Sequence, residues 1–218
     1  MILIFDLDDT LYPEHTFVES GFQAVAEMLR MHYGWDESLS LKIMMDTLKM
    51  QGRGSVFNEL LNSKNCFSKK LVQHCLQKYR QHKPNIQLFP EAKKILEDYN
   101  ARHLYLVTDG NKNVQANKIQ ALAIEPFFRK IFITHRYSIK HAKPSIYCFD
   151  LIRKLEKCEW SDMAYIGDNP AKDFVNLNHL GVLTVRVLTG EHSKVIAKPG
   201  FDAKLQIQKI ADLPSVLK

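Results

Sequence analysis

The chain has 218 residues, 45% of them hydrophobic and 25% charged, and a net charge of +6. This composition excludes wholesale disorder, collagen-like repeats and a disulfide-stapled miniprotein, and no apolar run approaches the roughly 20 residues that span a bilayer. The length suits one large domain, or one domain with a smaller companion.

The first element is the apolar run Met1–Phe5, which ends on Asp6. It reads as a buried strand. It is too short for the apolar segment of a signal peptide, roughly 7–15 residues, and has no positive charge ahead of it. From Glu14 to Lys83 the pattern is helical. Phe17, Val18, Phe22, Val25, Ala26 and Leu29 recur at helical spacing, and Gly34 stands where a helix stop is wanted. Ser38 or Ser40 is the expected cap of a second helix carrying Leu41, Met44, Met45 and Leu48, which stops at Gly52-Arg53-Gly54. Val56, Leu60 and Leu61 mark a short third helix. Ser68 caps a fourth, with Leu71, Val72, Cys75, Leu76 and Tyr79 on one face and Pro84 just beyond its end. The Met and aromatic stripes are read as core.

After Pro84 strands and helices alternate. Pro90 opens a helix running over Glu91–Asn100. The run Leu104–Val107 ends on Thr108-Asp109-Gly110, and a helix is predicted from Asn113 to Leu122. Ile131–Ile133 is the next strand, followed by Lys143-Pro144 and a helix from Ser145 to Glu156. Met163–Ile166 ends on Gly167-Asp168; a helix follows from Ala171 to Leu180, then strands at Val182–Val187 and near Ala203–Ile207. Such alternation predicts a Rossmann-like parallel sheet with helices on both faces, three α/β/α layers, interrupted by the helical insert. Residues 1–13 and 85–218 form the expected core, and 14–84 the insert.

Ligands bind at the carboxyl ends of strands in such sheets, where Asp6, Thr108 and Asp168 fall. Asp8 and Asp9 follow Asp6 closely, and Asp173 follows Asp168. If the first and fourth strands are neighbours, several carboxylates converge. Like charges that close require protons or a cation. An all-oxygen cluster suits a hard cation such as Mg2+. Thr108 adds a hydroxyl and Lys143 a positive charge, a set able to hold a phosphoryl group and its transition state. The attacking group is either a metal-bound water or Asp6, which can form an aspartyl-phosphate. Asp8, two residues on, can point to the same side in extended chain and serve as acid and then base.

The string Phe5-Asp6-Leu7-Asp8-Asp9-Thr10-Leu11-Tyr12 resembles the first motif of the haloacid dehalogenase-like superfamily, phosphatase branch. Thr108 resembles the second motif, Lys143-Pro144 the third, and Gly167-Asp168-Asn169-Pro170-Ala171-Lys172-Asp173 the fourth. All four stand in the family's order. The resemblance implies that Asp6 is nucleophile and metal ligand. It makes Asp8 the general acid/base, with its backbone carbonyl on the metal. Asp168 would hold Mg2+ directly or through water. Thr108 and the N–H of Asp109 would bind the phosphoryl group, and Lys143 would neutralise it. Asp173 would orient Lys143 or a metal-bound water, and Thr10 would support the first loop. Two positions depart from the pattern: Asp109 where asparagine is common, and Lys172 where a small polar residue is common. Asp9 is read as a loop residue.

The insert resembles the family's first-type α-helical cap, with Arg53 as the specificity candidate. The implied activity is a Mg2+-dependent phosphatase of a small phosphorylated metabolite: a sugar phosphate, phosphoglycolate or nucleoside monophosphate. A phosphomutase of the same superfamily and a non-catalytic phospho-ligand scaffold are the alternatives. Asp8 and Asp168 together argue against carbon–halogen chemistry. No block of basic residues marks a nucleic-acid partner, and none is expected, nor a membrane. The four cysteines show no CxxC pair and are read as reduced thiols, and the nine histidines as surface or cap residues, in a cytoplasmic monomer or homodimer.

Overall fold

A computed structural model of the chain describes residues 1–99 and 103–217. It divides into two compact units, Met1–His15 with Ile86–Lys218, and Thr16–Asn85.

The larger unit is built on six parallel strands: β1 (Ile2–Phe5), β2 (Leu104–Thr108), β3 (Lys130–Ile133), β4 (Met163–Gly167), β5 (Leu183–Val187) and β6 (Leu205–Ile207). Their order in the sheet is β3-β2-β1-β4-β5-β6. Leu3 of β1 pairs with Leu104 on one side and with Ala164 on the other. The chain thus builds outward from β1 in one direction and then restarts at β4 on the opposite side. The crevice between β1 and β4 is the switch point at which such sheets bind ligands.

Strand residues alternate between two covered faces. On one, Ile2, Ile4, Tyr105, Val107, Met163 and Tyr165 pack with Cys148, Phe149 and Ile152 of helix α7 (Tyr147–Glu156) and Leu177 of α8 (Val175–Leu180). The intervening Leu3, Phe5, Leu104, Leu106 and Ile166 are fully buried as well. Continuous apolar runs are what a sheet covered on both faces requires. The unit also holds α5 (Pro90–Asp98) and α6 (Lys112–Leu122).

Two helices start later than expected, and one expected helix end lies outside the described residues. Asn100, the expected end of the helix after Pro90, lies outside the described residues. Ser145 stands in the turn ahead of α7, its hydroxyl accepting from the Tyr147 N–H at 3.3 Å. Residues 171–174 are not helical, because Asn169 organises a turn there. Its side-chain oxygen accepts from the Ala171 N–H at 3.0 Å and its carbonyl from the Asp173 N–H at 3.0 Å.

The smaller unit is helical: most of α1 (Glu14–Tyr33), then α2 (Glu37–Gln51), α3 (Val56–Asn62) and α4 (Lys69–Gln81). The cap of α2 is Asp36, whose carboxylate accepts from the Leu39 N–H at 2.6 Å. Ser38 and Ser40 lie inside the helix, and the Ser40 hydroxyl bonds back to the Asp36 carbonyl. A carboxylate at this end also meets the positive pole of the helix. Ser68 caps α4, accepting from Leu71 N–H at 3.1 Å. The core holds Phe22, Val25, Leu29, Met44, Phe57, Leu60 and Cys75, with Leu71, Val72, Leu76 and Tyr79 against it. All four cysteines are free thiols. Among the described residues, no helix is long and apolar enough to cross a membrane.

Candidate active site

Asp6 continues β1 by one residue, its N–H donating to the Ile166 carbonyl at 2.8 Å. Parallel pairing with β4 therefore aims its side chain out of the sheet edge, next to Asp168, the first residue past β4. Lys143 comes from the loop that follows β3. Its ammonium lies 2.9 Å from Asp6 Oδ1 and 2.8 Å from Asp173 Oδ1, and donates to the Tyr165 hydroxyl at 2.8 Å. A lysine has three donors, and here each has an acceptor. Asp173 is held from its other oxygen, Oδ2, which accepts from the Asn169 N–H at 2.9 Å. Gly167 makes room for this: a Cβ there would stand 2.6 Å from that oxygen.

Asp6, Asp168 and Asp173 each offer an oxygen within 4.8 Å of the other two. All three are buried. The charge balance is unfavourable, since one ammonium faces three carboxylates. Burial pushes Asp6 up to about 7, with Lys143 opposing and Asp173 adding to the rise. Asp168 is pushed up to about 9 by burial, and then by Asp6 and Asp173. Lys143 moves well above the ordinary lysine value: burial opposes its charge, but Asp173 and Asp6 outweigh it. The Asp168 side chain has no hydrogen bond or ion pair among the described residues. A buried carboxylate without a partner, beside a second one with an oxygen to spare, is a donor set that a hard divalent cation fits. Asp6 and Asp168 would hold it; both oxygens of Asp173 are already engaged.

Asp8 does not join that cluster. Its carboxylate turns toward α6, where Oδ1 lies 2.6 Å from Lys118 Nζ and Oδ2 accepts from Gln115 Nε2 at 2.9 Å. The Tyr12 hydroxyl donates to Oδ1 at 2.5 Å. Burial works against its charge, but the Lys118 charge and these hydrogen bonds bring its carboxyl below the usual range. The second hydrogen of the Gln115 amide goes to Thr108 Oγ1, at 2.6 Å.

Asp109 is more than a turn residue. Its Oδ1 accepts from Thr134 Oγ1 at 2.7 Å and from the Lys143 N–H at 3.1 Å, so it fixes the loop that presents Lys143. Its Oδ2 lies 3.4 Å from Lys172 Nζ. The two departures from the family pattern thus face each other as an ion pair. Burial tends to raise the Asp109 carboxyl; Lys143 and Lys172 hold it below the usual range. Asp9 is a loop residue that ties down its surroundings. It takes φ +51°, and its carboxylate accepts from the Glu14 and Glu191 N–H groups at 2.8 and 3.3 Å. Gly190 is required opposite it, at φ +63°, because a Cβ there would stand 2.0 Å from the Asp9 carboxyl. The Thr10 hydroxyl is buried without a hydrogen-bond partner among the described residues. Arg53 belongs to the helical unit, in the turn between α2 and α3.

The sequence reading missed Tyr165, Gln115 and Lys118. Tyr165 lies in an apolar run and looks like core until its hydroxyl is placed. Gln115 and Lys118 did leave a signal. With Ile119 and Leu122 they form the i, i+3, i+4, i+7 stripe of α6, so two polar residues occupy its inward face.

Residues 3–187 match the family model described as haloacid dehalogenase-like hydrolase, and the chain belongs to that family of hydrolases. Among curated relatives, a glyceraldehyde 3-phosphate phosphatase of Methanocaldococcus jannaschii is 27% identical over 99% of this chain and 97% of its own. A protein of the same name from Pyrococcus abyssi is 26% identical over 100% and 93%. Among solved structures, a haloacid dehalogenase-like hydrolase of Bacillus subtilis bound to magnesium superposes with a TM-score of 0.70 at 17% identity, covering 100% of this chain and 98% of that one.

Proposed function

We propose that the chain is a Mg2+-dependent phosphatase that hydrolyses a small sugar phosphate of the glyceraldehyde 3-phosphate type through an aspartyl-phosphate on Asp6. The observation that carries this is the Asp6–Lys143–Asp173 network beside the unpartnered Asp168. The activity for which the two curated relatives are named, both matching nearly end to end, supports the substrate class.

When bound by Asp6 and Asp168, the cation supplies positive charge to the carboxylates and to phosphate oxygens. The remaining work belongs to the chain's own side chains. Lys143 pairs with Oδ1 of Asp6, orienting the carboxylate for attack, and neutralises charge on the transferring group. As the Asp6–phosphorus bond forms, the bond from phosphorus to the ester oxygen breaks, and Asp8, a carboxylate in the free chain, passes to that oxygen a proton it has taken from the entering phosphate monoanion. In the second half Asp8, now a carboxylate, takes a proton from the attacking water; the Asp6–phosphorus bond breaks and inorganic phosphate leaves. Thr108 and the N–H of Asp109 serve the phosphoryl oxygens, and Asp173 keeps Lys143 in place.

The test is a hydrolysis screen over phosphorylated metabolites with and without Mg2+, run on the wild type and on Asp6→Asn. Expected are cation-dependent release of phosphate from three-carbon sugar phosphates and no turnover by the variant. Turnover without cation, or full activity in Asp6→Asn, sinks the mechanism. Release of an isomerised sugar phosphate with little free phosphate would mark a mutase, and binding without release a scaffold.

A further inference from the structure

Lys118 and Gln115 are 3% and 2% exposed, on the inward stripe of a helix whose other inward residues are apolar. A buried ammonium costs several kcal/mol of lost hydration, and hydrophobic packing there would serve the fold at least as well. Their partner is one and the same carboxylate. Lys118 takes Oδ1 of Asp8 and Gln115 takes Oδ2, so both side-chain torsions of Asp8 are fixed from a single helix. The same Gln115 amide nitrogen donates to Thr108 Oγ1. One amide group therefore sets the distance between Asp8 and the threonine at the end of β2. The Lys118 ammonium also lies 3.7 Å from Glu14 Oε1 and 5.9 Å from the centre of the Tyr12 ring, which seats it in a fixed pocket.

We propose that Lys118 and Gln115 are positioning residues that hold the Asp8 carboxyl at the leaving oxygen of the substrate. The proposal rests on the reading of Asp8 as the proton carrier, and its effect on kcat/KM is confined to the step in which the ester oxygen needs a proton, because the later attack of water on the aspartyl-phosphate, in which Asp8 also serves, is common to all substrates and enters kcat alone. An alkoxide leaving group needs that proton; a nitrophenolate, stable as an anion, does not. Misplacing Asp8 therefore harms one substrate and spares the other.

The experiment measures kcat/KM of the full chain, with saturating Mg2+, on glyceraldehyde 3-phosphate and on p-nitrophenyl phosphate. The proteins are wild type, Asp8→Asn, Lys118→Met and Gln115→Leu, each checked for folding by circular dichroism. Loss of a general acid is worth roughly 10²–10⁴-fold, and misplacement of a reacting group by about 1 Å roughly 10²-fold. Lys118→Met and Gln115→Leu are expected to lower kcat/KM for the sugar phosphate by roughly 10–100-fold and that for p-nitrophenyl phosphate by less than about threefold. Gln115→Leu leaves no charge unpaired and carries the comparison alone if Lys118→Met does not fold. Equal losses on both substrates, or none, while the Asp8→Asn ratio shifts, overturn the proposal. An unshifted ratio in Asp8→Asn overturns the assignment of Asp8 itself, and the proposal with it.

Discussion

Asp168→Asn should make the cation-free protein more stable while removing its response to Mg2+. The Asp168 carboxyl is pushed up to about 9 from an ordinary 3.8. At pH 7 the folded chain keeps a proton there that the unfolded chain has released. At about 1.4 kcal/mol per pH unit between 3.8 and 7, this opposes folding by about 4 kcal/mol. Asp6 and Asp173 share the same repulsion, so part of it persists in the variant. The expected gain is about 2 kcal/mol, a rise in melting temperature of about 4–8 °C for a chain of this size. The sign is that of an acid with a raised folded pKa. Its cost is absent below about pH 4 and grows up to about pH 9, so the advantage of the variant should follow that course. Mg2+ at 100 times its dissociation constant should stabilise the wild type by about 2.7 kcal/mol and leave the variant almost unmoved. Thermal melts in chelator and in Mg2+, at several pH values, measure all of this. A variant no more stable than wild type in chelator, or one with the same Mg2+-induced rise, refutes the reasoning.

Tyr165→Phe removes the hydroxyl that accepts from Lys143 and lies 3.3 Å from Asp173 Oδ1; kcat should fall roughly 10–100-fold, the factor set by the roughly 1.5–3 kcal/mol of one hydrogen bond to a charged group, with KM little changed in steady-state assays. Gly190→Ala forces a Cβ onto the Asp9 carboxyl and strains a positive φ. It should cost about 1–3 kcal/mol in urea unfolding, and Gly200→Ala, where nothing lies within 4 Å, should cost less. Glu156 is largely buried in its side chain; burial opposes its charge, but the Tyr105 and His103 hydrogen bonds and Arg129 hold it below its ordinary value. That stabilisation is present above the ordinary glutamate range and disappears as pH falls through the lowered folded value. Glu156→Gln should therefore destabilise the chain at pH 7, with the difference from wild type vanishing as the pH falls below that lowered value, as judged by pH-dependent melts.

The alternation of apolar strands and helices by itself dictated an α/β sheet, because a strand covered on both faces must be apolar throughout. The same runs end on Asp6, Thr108 and Asp168, so the candidate site could be read from where hydrophobicity stops. Lys143 was legible only through its Lys-Pro setting and its order among the other motifs; no periodicity marks a loop residue. What the tertiary structure alone decided is which groups meet. That Lys143 spends its three donors on Asp6, Asp173 and Tyr165 depends on a loop after β3 reaching the edge between β1 and β4, a long-range closure that local propensity does not encode. Asp8 illustrates the limit most clearly. Two residues from Asp6, it could have pointed into the carboxylate cluster, but Lys118 and Gln115, more than a hundred residues away in the chain, draw it to α6. Burial and charge act through space, so the state of each carboxylate is a property of the folded neighbourhood, whereas its place at a strand end is already written in the order of the residues.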